Sequence, residues 1–144
     1  MDKTTNNDDL QAVITQLVTE NNWESIYKIS SLLCREVSIL IDADSRIFID
    51  WGSRSEVALN PPTGAKIPFK LWVHTHPNMP AYWSLTDRES LMIASGILVS
   101  AYVLGINGLL FTKYDLTNQV KKLIGMDWTD ESVTPWNQVS EGLL

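Results

Sequence analysis

Apolar residues at Leu10, Val13, Ile14, Leu17 and Val18 follow the spacing of one helix face, with Asp8 or Asp9 in front as an N-cap. Residues 1–9 are almost wholly polar and read as a disordered tail. Asn21 and Asn22 break the pattern, and Trp23, Ile26, Tyr27, Ile29, Ser30 and Leu33 then trace a second helix that ends near Cys34. From Val37 the texture becomes β-branched and apolar. Residues 37–41 and 46–51 predict two strands, and the turn Asp42-Ala43-Asp44-Ser45 between them makes a hairpin. Asn60-Pro61-Pro62-Thr63-Gly64 is loop chemistry, and residues 67–76 read as an extended strand with Pro68 at an edge or lead-in position.

Pro77 and Pro80 bound a segment that cannot be regular structure, because each fixes φ and removes an N–H donor. Ser84 to Asp87 then opens a helix over 86–95, which Gly96 stops. Residues 99–104 and 109–114 predict two strands joined by the turn Gly105-Ile106-Asn107-Gly108. A last short helix is expected over 117–124. The stretch 126–144 has no periodicity, although Trp128 and Trp136 imply that parts of it pack. No repeat and no second domain is visible, so the reading is one domain over 10–125 between two tails.

Composition narrows the class. With 144 residues, 44% hydrophobic and 19% charged, the chain can bury an ordinary core. Its longest apolar stretch, 91–104, is interrupted by Ser95, Gly96, Ser100 and Tyr102, shorter than the ~20 residues a membrane span requires. The opening MDKTTNNDD has no apolar signal region, and a single cysteine makes no internal disulfide, so a reducing, cytoplasmic setting is expected. A net charge of −6 disfavours nucleic acid as the partner.

The candidate chemistry begins at the chain's only two histidines, His74 and His76. Side chains two apart on a strand leave the same face, so both imidazoles can converge on one ion. A catalytic zinc takes a third protein ligand and keeps a position open, and Asp87 is the nearest carboxylate that can fold back. Ser84 lies one helical turn before Asp87 at the same helix entrance. Each half has a plainer explanation: two strand histidines, and an ordinary helix cap. Cys34 reads as packing rather than a nucleophile, because both histidines belong to the metal motif. Met79, Tyr82 and Trp83 can contact a substrate, or Trp83 can simply pack the loop. Trp51 and Trp72 read as core.

The string His74-Thr75-His76-Pro77, six residues, Ser84, two residues, Asp87 resembles, position for position, the signature of the JAMM (MPN-plus) zinc metalloproteases. The order of elements from about Leu10 to Ile124 is similar too. The resemblance implies an α/β fold: a single MPN-like domain with a mixed, mostly antiparallel sheet flanked by helices. It implies that His74, His76 and Asp87 ligate Zn2+ and that Ser84 hydrogen-bonds the oxyanion of the tetrahedral intermediate. It places the general base at a glutamate after the N-terminal helices, where Glu36 precedes the first strand; Glu56 is the rival. The plain reading of Glu36 is a solvated helix-end charge paired with Arg35 or a lysine.

The function so implied is zinc-dependent amide hydrolysis by an isopeptidase or peptidase. Its substrate would be the C-terminal tail of a ubiquitin-like or sulfur-carrier-type protein, added beside the site as an extended strand. Two alternatives stay open: a non-catalytic MPN-like scaffold, and a peptidase for short or cell-wall peptides. No cofactor beyond zinc, no nucleic acid and no membrane partner is expected, and the pattern does not set an oligomeric state.

Overall fold

A computed structural model describes residues 3–52, 62–114 and 132–139. Helix α1 (Lys3–Thr19) and helix α2 (Trp23–Leu33) come first, followed by strands β1 (Glu36–Ile41), β2 (Ile47–Gly52) and β3 (Leu71–Thr75). Helix α3 (Leu85–Ile93) then leads to strands β4 (Ser100–Gly105), β5 (Gly108–Lys113) and β6 (Val133–Thr134), and a 3-10 turn closes the order at Trp136–Gln138. The six strands form one sheet in the order β2-β1-β3-β4-β5-β6. Every pairing is antiparallel except β3 with β4, which are parallel. A parallel pair needs a long crossover, and α3 lies within it. The α/β class and the mixed, mostly antiparallel sheet expected from the sequence are both present.

Two cores cover the two faces of the sheet. On one, Ile14 and Val18 of α1 and Trp23, Ile26 and Tyr27 of α2 bury against Val37, Ile39, Leu71, Val73, Tyr102, Leu104 and Leu109. On the other, Leu91 of α3 packs with Leu40, Trp72, Trp83, Ala101, Val103 and Leu110. Strands β3 and β4 are buried along their whole length, which is why they read as continuous apolar runs rather than as alternation. Trp72 is core as expected, while Trp51 is half-buried at the rim under the Arg35 guanidinium, 5.3 Å from its ring centroid.

Several expectations shift. Helix α1 begins at Lys3, so residues 3–9, expected as a tail, are helical, and Asp8 and Asp9 lie inside the helix rather than capping it. Polar turns carry no periodic signal, and nothing in 3–9 breaks a helix. Strand β3 starts at Leu71, well after the cis Ile67–Pro68 bond. Part of the C-terminal stretch packs, as expected: β6 extends the sheet, and the Trp136 indole stacks on Tyr27 at 5.9 Å and donates to the Gly105 carbonyl at 2.9 Å. The helix expected over 117–124, Glu56 and Trp128 lie outside the described residues. Among the described residues, no helix is long and apolar enough to cross a membrane.

Candidate metal centre

Alternation along β3 sends Leu71, Val73 and Thr75 towards α1 and α2, and Trp72, His74 and His76 towards α3. His76 is one residue past the strand but continues its ladder, its N–H donating to the Leu104 carbonyl at 2.9 Å. His74 is fully buried and stacks on Trp72 at 4.5 Å, with the Trp83 ring 5.8 Å away. Trp83 therefore packs the loop. His76 lies edge-on to Tyr82 at 4.7 Å, and its Nδ1 is 3.4 Å from the Pro80 carbonyl. In the tautomer that donates this bond, Nε2 keeps its lone pair for a ligand role.

Asp87 reaches the same place from α3. Ser84 caps that helix by accepting the Asp87 N–H at 3.0 Å, and its own N–H donates to Asp87 Oδ2 at 3.0 Å. This capping box fixes the carboxylate at the helix entrance. Asp87 Oδ1 then lies 3.0 Å from His74 Nε2, and Oδ2 lies 3.3 Å from His76 Nε2. Ligand atoms of all three residues fall within 4.8 Å of one another. Two donors ~2.0–2.1 Å from one tetrahedral ion stand about 3.3 Å apart, close to the two histidine–carboxylate separations, each of which is made to a different Asp87 oxygen. The buried Nε2 of His74 has Asp87 Oδ1 as its polar neighbour, so a metal ion held by both would take the place of that contact. Two imidazoles and a carboxylate fit zinc.

The electrostatics are consistent with that use. Burial holds the His74 imidazole below its ordinary pKa against the pull of Asp87, so it is neutral and able to ligate. Burial works against the Asp87 charge as well, but contact with both imidazoles prevails and holds its carboxyl far below the usual range.

Glu36 is the third element of the site. Helix α2 ends with Cys34 in the left-handed region at φ 51°, which turns the chain into β1 at Glu36. Ser38 pairs with His74 across β1 and β3, and Glu36, two residues before Ser38, lines the same cleft as His76 and Asp87. Only 7% exposed, Glu36 is not the solvated helix-end charge of the plainer reading, and Arg35 is engaged with Trp51 instead. Burial pushes its carboxyl up to about 7, with His76 pulling it down and Asp87 pushing it further up.

Glu36, His76, Ser84 and Asp87 line one cleft of about 440 Å³, together with Cys34, Met79 and Tyr82. Met79 and Tyr82 are exposed at its mouth. No family model, curated protein or solved structure matches the chain.

The loop carrying these groups is held by residues that periodicity does not single out. Asn78, at φ 58°, binds Ser31 of α2 through its N–H at 3.2 Å and its amide at 3.2 Å. Asn107 accepts the Ala81 N–H at 2.8 Å, and the Ile106 N–H donates to the Met79 carbonyl at 2.8 Å. Asparagine tolerates positive φ, so an Asn directly after His-Pro was a local signal for such a turn.

Proposed function

We propose that the chain is a zinc-dependent amide hydrolase of the JAMM type. The observation that carries this is the convergence of Glu36, Ser84, His76 and Asp87 on one cleft, from three separate elements, with His74 buried behind it and its Nε2 3.0 Å from Asp87. When bound, zinc would lower the pKa of a water towards ~7 and polarise the scissile carbonyl.

The chain's own groups supply the rest. Glu36 lines the cleft beside His76 and Asp87, where its carboxylate can accept a proton from the attacking water and return it to the departing amine. The cap occupies only a lone pair of Ser84 Oγ, because that oxygen accepts from Asp87 N–H. Its own proton remains available to donate to the oxyanion. Buried Trp72 and Trp83 wall the His74 side of the site against water. The exposed Met79 and Tyr82 offer apolar contact at the mouth, which suits an extended tail of a ubiquitin-like or sulfur-carrier-type protein entering the cleft.

Elemental mass spectrometry of the purified protein beside Asp87→Ala tests the metal. One zinc per wild-type chain and little in the variant is expected. Activity is tested on a ubiquitin-like protein carrying a fluorogenic amide at its C-terminus. Cleavage should vanish in Glu36→Gln while zinc stays bound. Zinc without cleavage of this fusion or of short peptides would favour the scaffold reading, and no zinc in either protein, even after zinc is supplied, would overturn the hydrolase reading and leave the scaffold.

A further inference from the structure

Thr75 stands between the two histidines, but its side chain leaves the opposite face of the sheet, away from the cleft. It is fully buried, and so is Ser30 of α2. Thr75 Oγ1 accepts the Val37 N–H at 3.0 Å and lies 2.6 Å from Ser30 Oγ. Ser30 Oγ donates to the Arg35 carbonyl at 2.5 Å. A hydroxyl has one proton, so the order is settled: Val37 N–H to Thr75, Thr75 O–H to Ser30, Ser30 O–H to the Arg35 carbonyl. The chain of bonds leaves the residue after Glu36 and returns to the residue before it.

We infer that Ser30 and Thr75 are positioning residues that hold Glu36 in register with the metal ligands. The inference rests on the reading of Glu36 as general base. Two peptide units flank Glu36, and both are tied to the one residue that separates His74 from His76. Sliding or rotating the start of β1 against the end of β3 would break this bonding and leave the Val37 N–H buried without a partner. Neither hydroxyl borders the cleft, so the pair acts on chemistry only by where it puts the carboxylate. A displacement of about 1 Å in such a group lowers turnover roughly 10²-fold.

The test compares zinc-loaded wild type with Thr75→Val, which keeps the shape and loses the hydroxyl, Thr75→Ser, which keeps the hydroxyl, and Ser30→Ala. Three quantities are read: zinc per chain, amide exchange by NMR at Val37 and at Tyr102 in the core, and kcat and KM on the fluorogenic ubiquitin-like amide. Thr75→Val should bind zinc fully and exchange Val37 at least about tenfold faster with Tyr102 unchanged. Its kcat should fall about 10²-fold at constant KM, and Thr75→Ser should restore both. If Thr75→Val does not fold, Ser30→Ala, which keeps the acceptor of the Val37 N–H but unties the Arg35 carbonyl, should show the same fall in kcat at full zinc and constant KM, and a wild-type kcat there would overturn the inference. Wild-type Val37 exchange and kcat in Thr75→Val would overturn the inference. So would equal acceleration at Val37 and Tyr102 without rescue by serine, the signature of a purely structural role. If wild type cleaves nothing, the hydrolase reading fails by itself, and Val37 exchange alone decides whether the hydroxyls hold the Glu36 backbone.

Discussion

Asp87 Oδ1 lies 3.0 Å from Nε2 of His74, a carboxylate set against a buried, neutral imidazole. A cation held by both groups would bind the native arrangement and not the unfolded chain, where the two are not brought together. Metal binding should therefore stabilise the fold. With free zinc about a thousandfold above its dissociation constant the gain is about 4 kcal/mol. For a chain of this size that corresponds to a rise in Tm on the order of 10 °C. Scanning calorimetry with zinc and with EDTA measures it, and Asp87→Ala should erase the difference.

Glu36 gives a pH dependence of definite sign in the metal-free protein. Its carboxyl titrates near 4.5 when unfolded and is pushed up to about 7 by burial in the fold. The native state thus holds a proton that the unfolded state has released between these values, and stability falls as pH rises through them. Glu36→Gln has no charge to bury. It should match wild type below about pH 4.5 and exceed it above pH 7 by on the order of 2 to 3 kcal/mol. Urea unfolding across this range checks the sign, and a constant difference would count against a buried Glu36.

Ser84 caps α3, and one pair of substitutions separates that role from the catalytic one proposed for it. As the cap of α3 it accepts the Asp87 N–H, and as a lining residue it faces the cleft. Alanine should cost about 1 kcal/mol of stability, whereas glycine, a tolerated cap, costs only a few tenths. Both remove the hydroxyl proposed to donate to the oxyanion and, on that proposal, should lower kcat about 10²- to 10³-fold. Chemical denaturation alongside turnover decides it: loss of rate that tracked stability in the two variants would leave Ser84 a cap alone.

What the sequence made legible was local. His74, His76, Ser84 and Asp87 fall within one short window, and strand alternation plus a helix cap suffice to bring them together. Glu36 needed the layout of elements as well, since its place beside His76 depends on the pairing of β1 with β3. The Ser30 and Thr75 hydroxyls are 45 residues apart and joined only by packing, so no spacing rule could pair them. Strand β6 is two residues long and too short to alternate. The first turns of α1 are polar and show no stripe. Local chemistry was readable, and long-range contacts between elements were not.

Gly105 closes β4 beneath the loop that supports His76. A Cβ built there would lie 2.0 Å from the backbone nitrogen of Ala81 and 2.5 Å from the Pro80 carbonyl carbon, so backbone would have to move. Pro80 supplies the carbonyl that faces His76 Nδ1, and the Gly105 carbonyl accepts the Trp136 indole. Gly105→Ala should therefore cost about 3 kcal/mol or more, as backbone strain and overpacking do. It should also weaken zinc binding about 10- to 100-fold, the range for losing an outer-shell partner of a ligating histidine. Trp136→Ala removes the indole from the same carbonyl without crowding the loop. It should cost stability, about 2 kcal/mol for a half-buried tryptophan, while leaving zinc affinity unchanged. Competition with a chelator on the folded fraction of each variant separates them, and equal zinc affinity in Gly105→Ala and wild type would show that the loop can shift without moving His76.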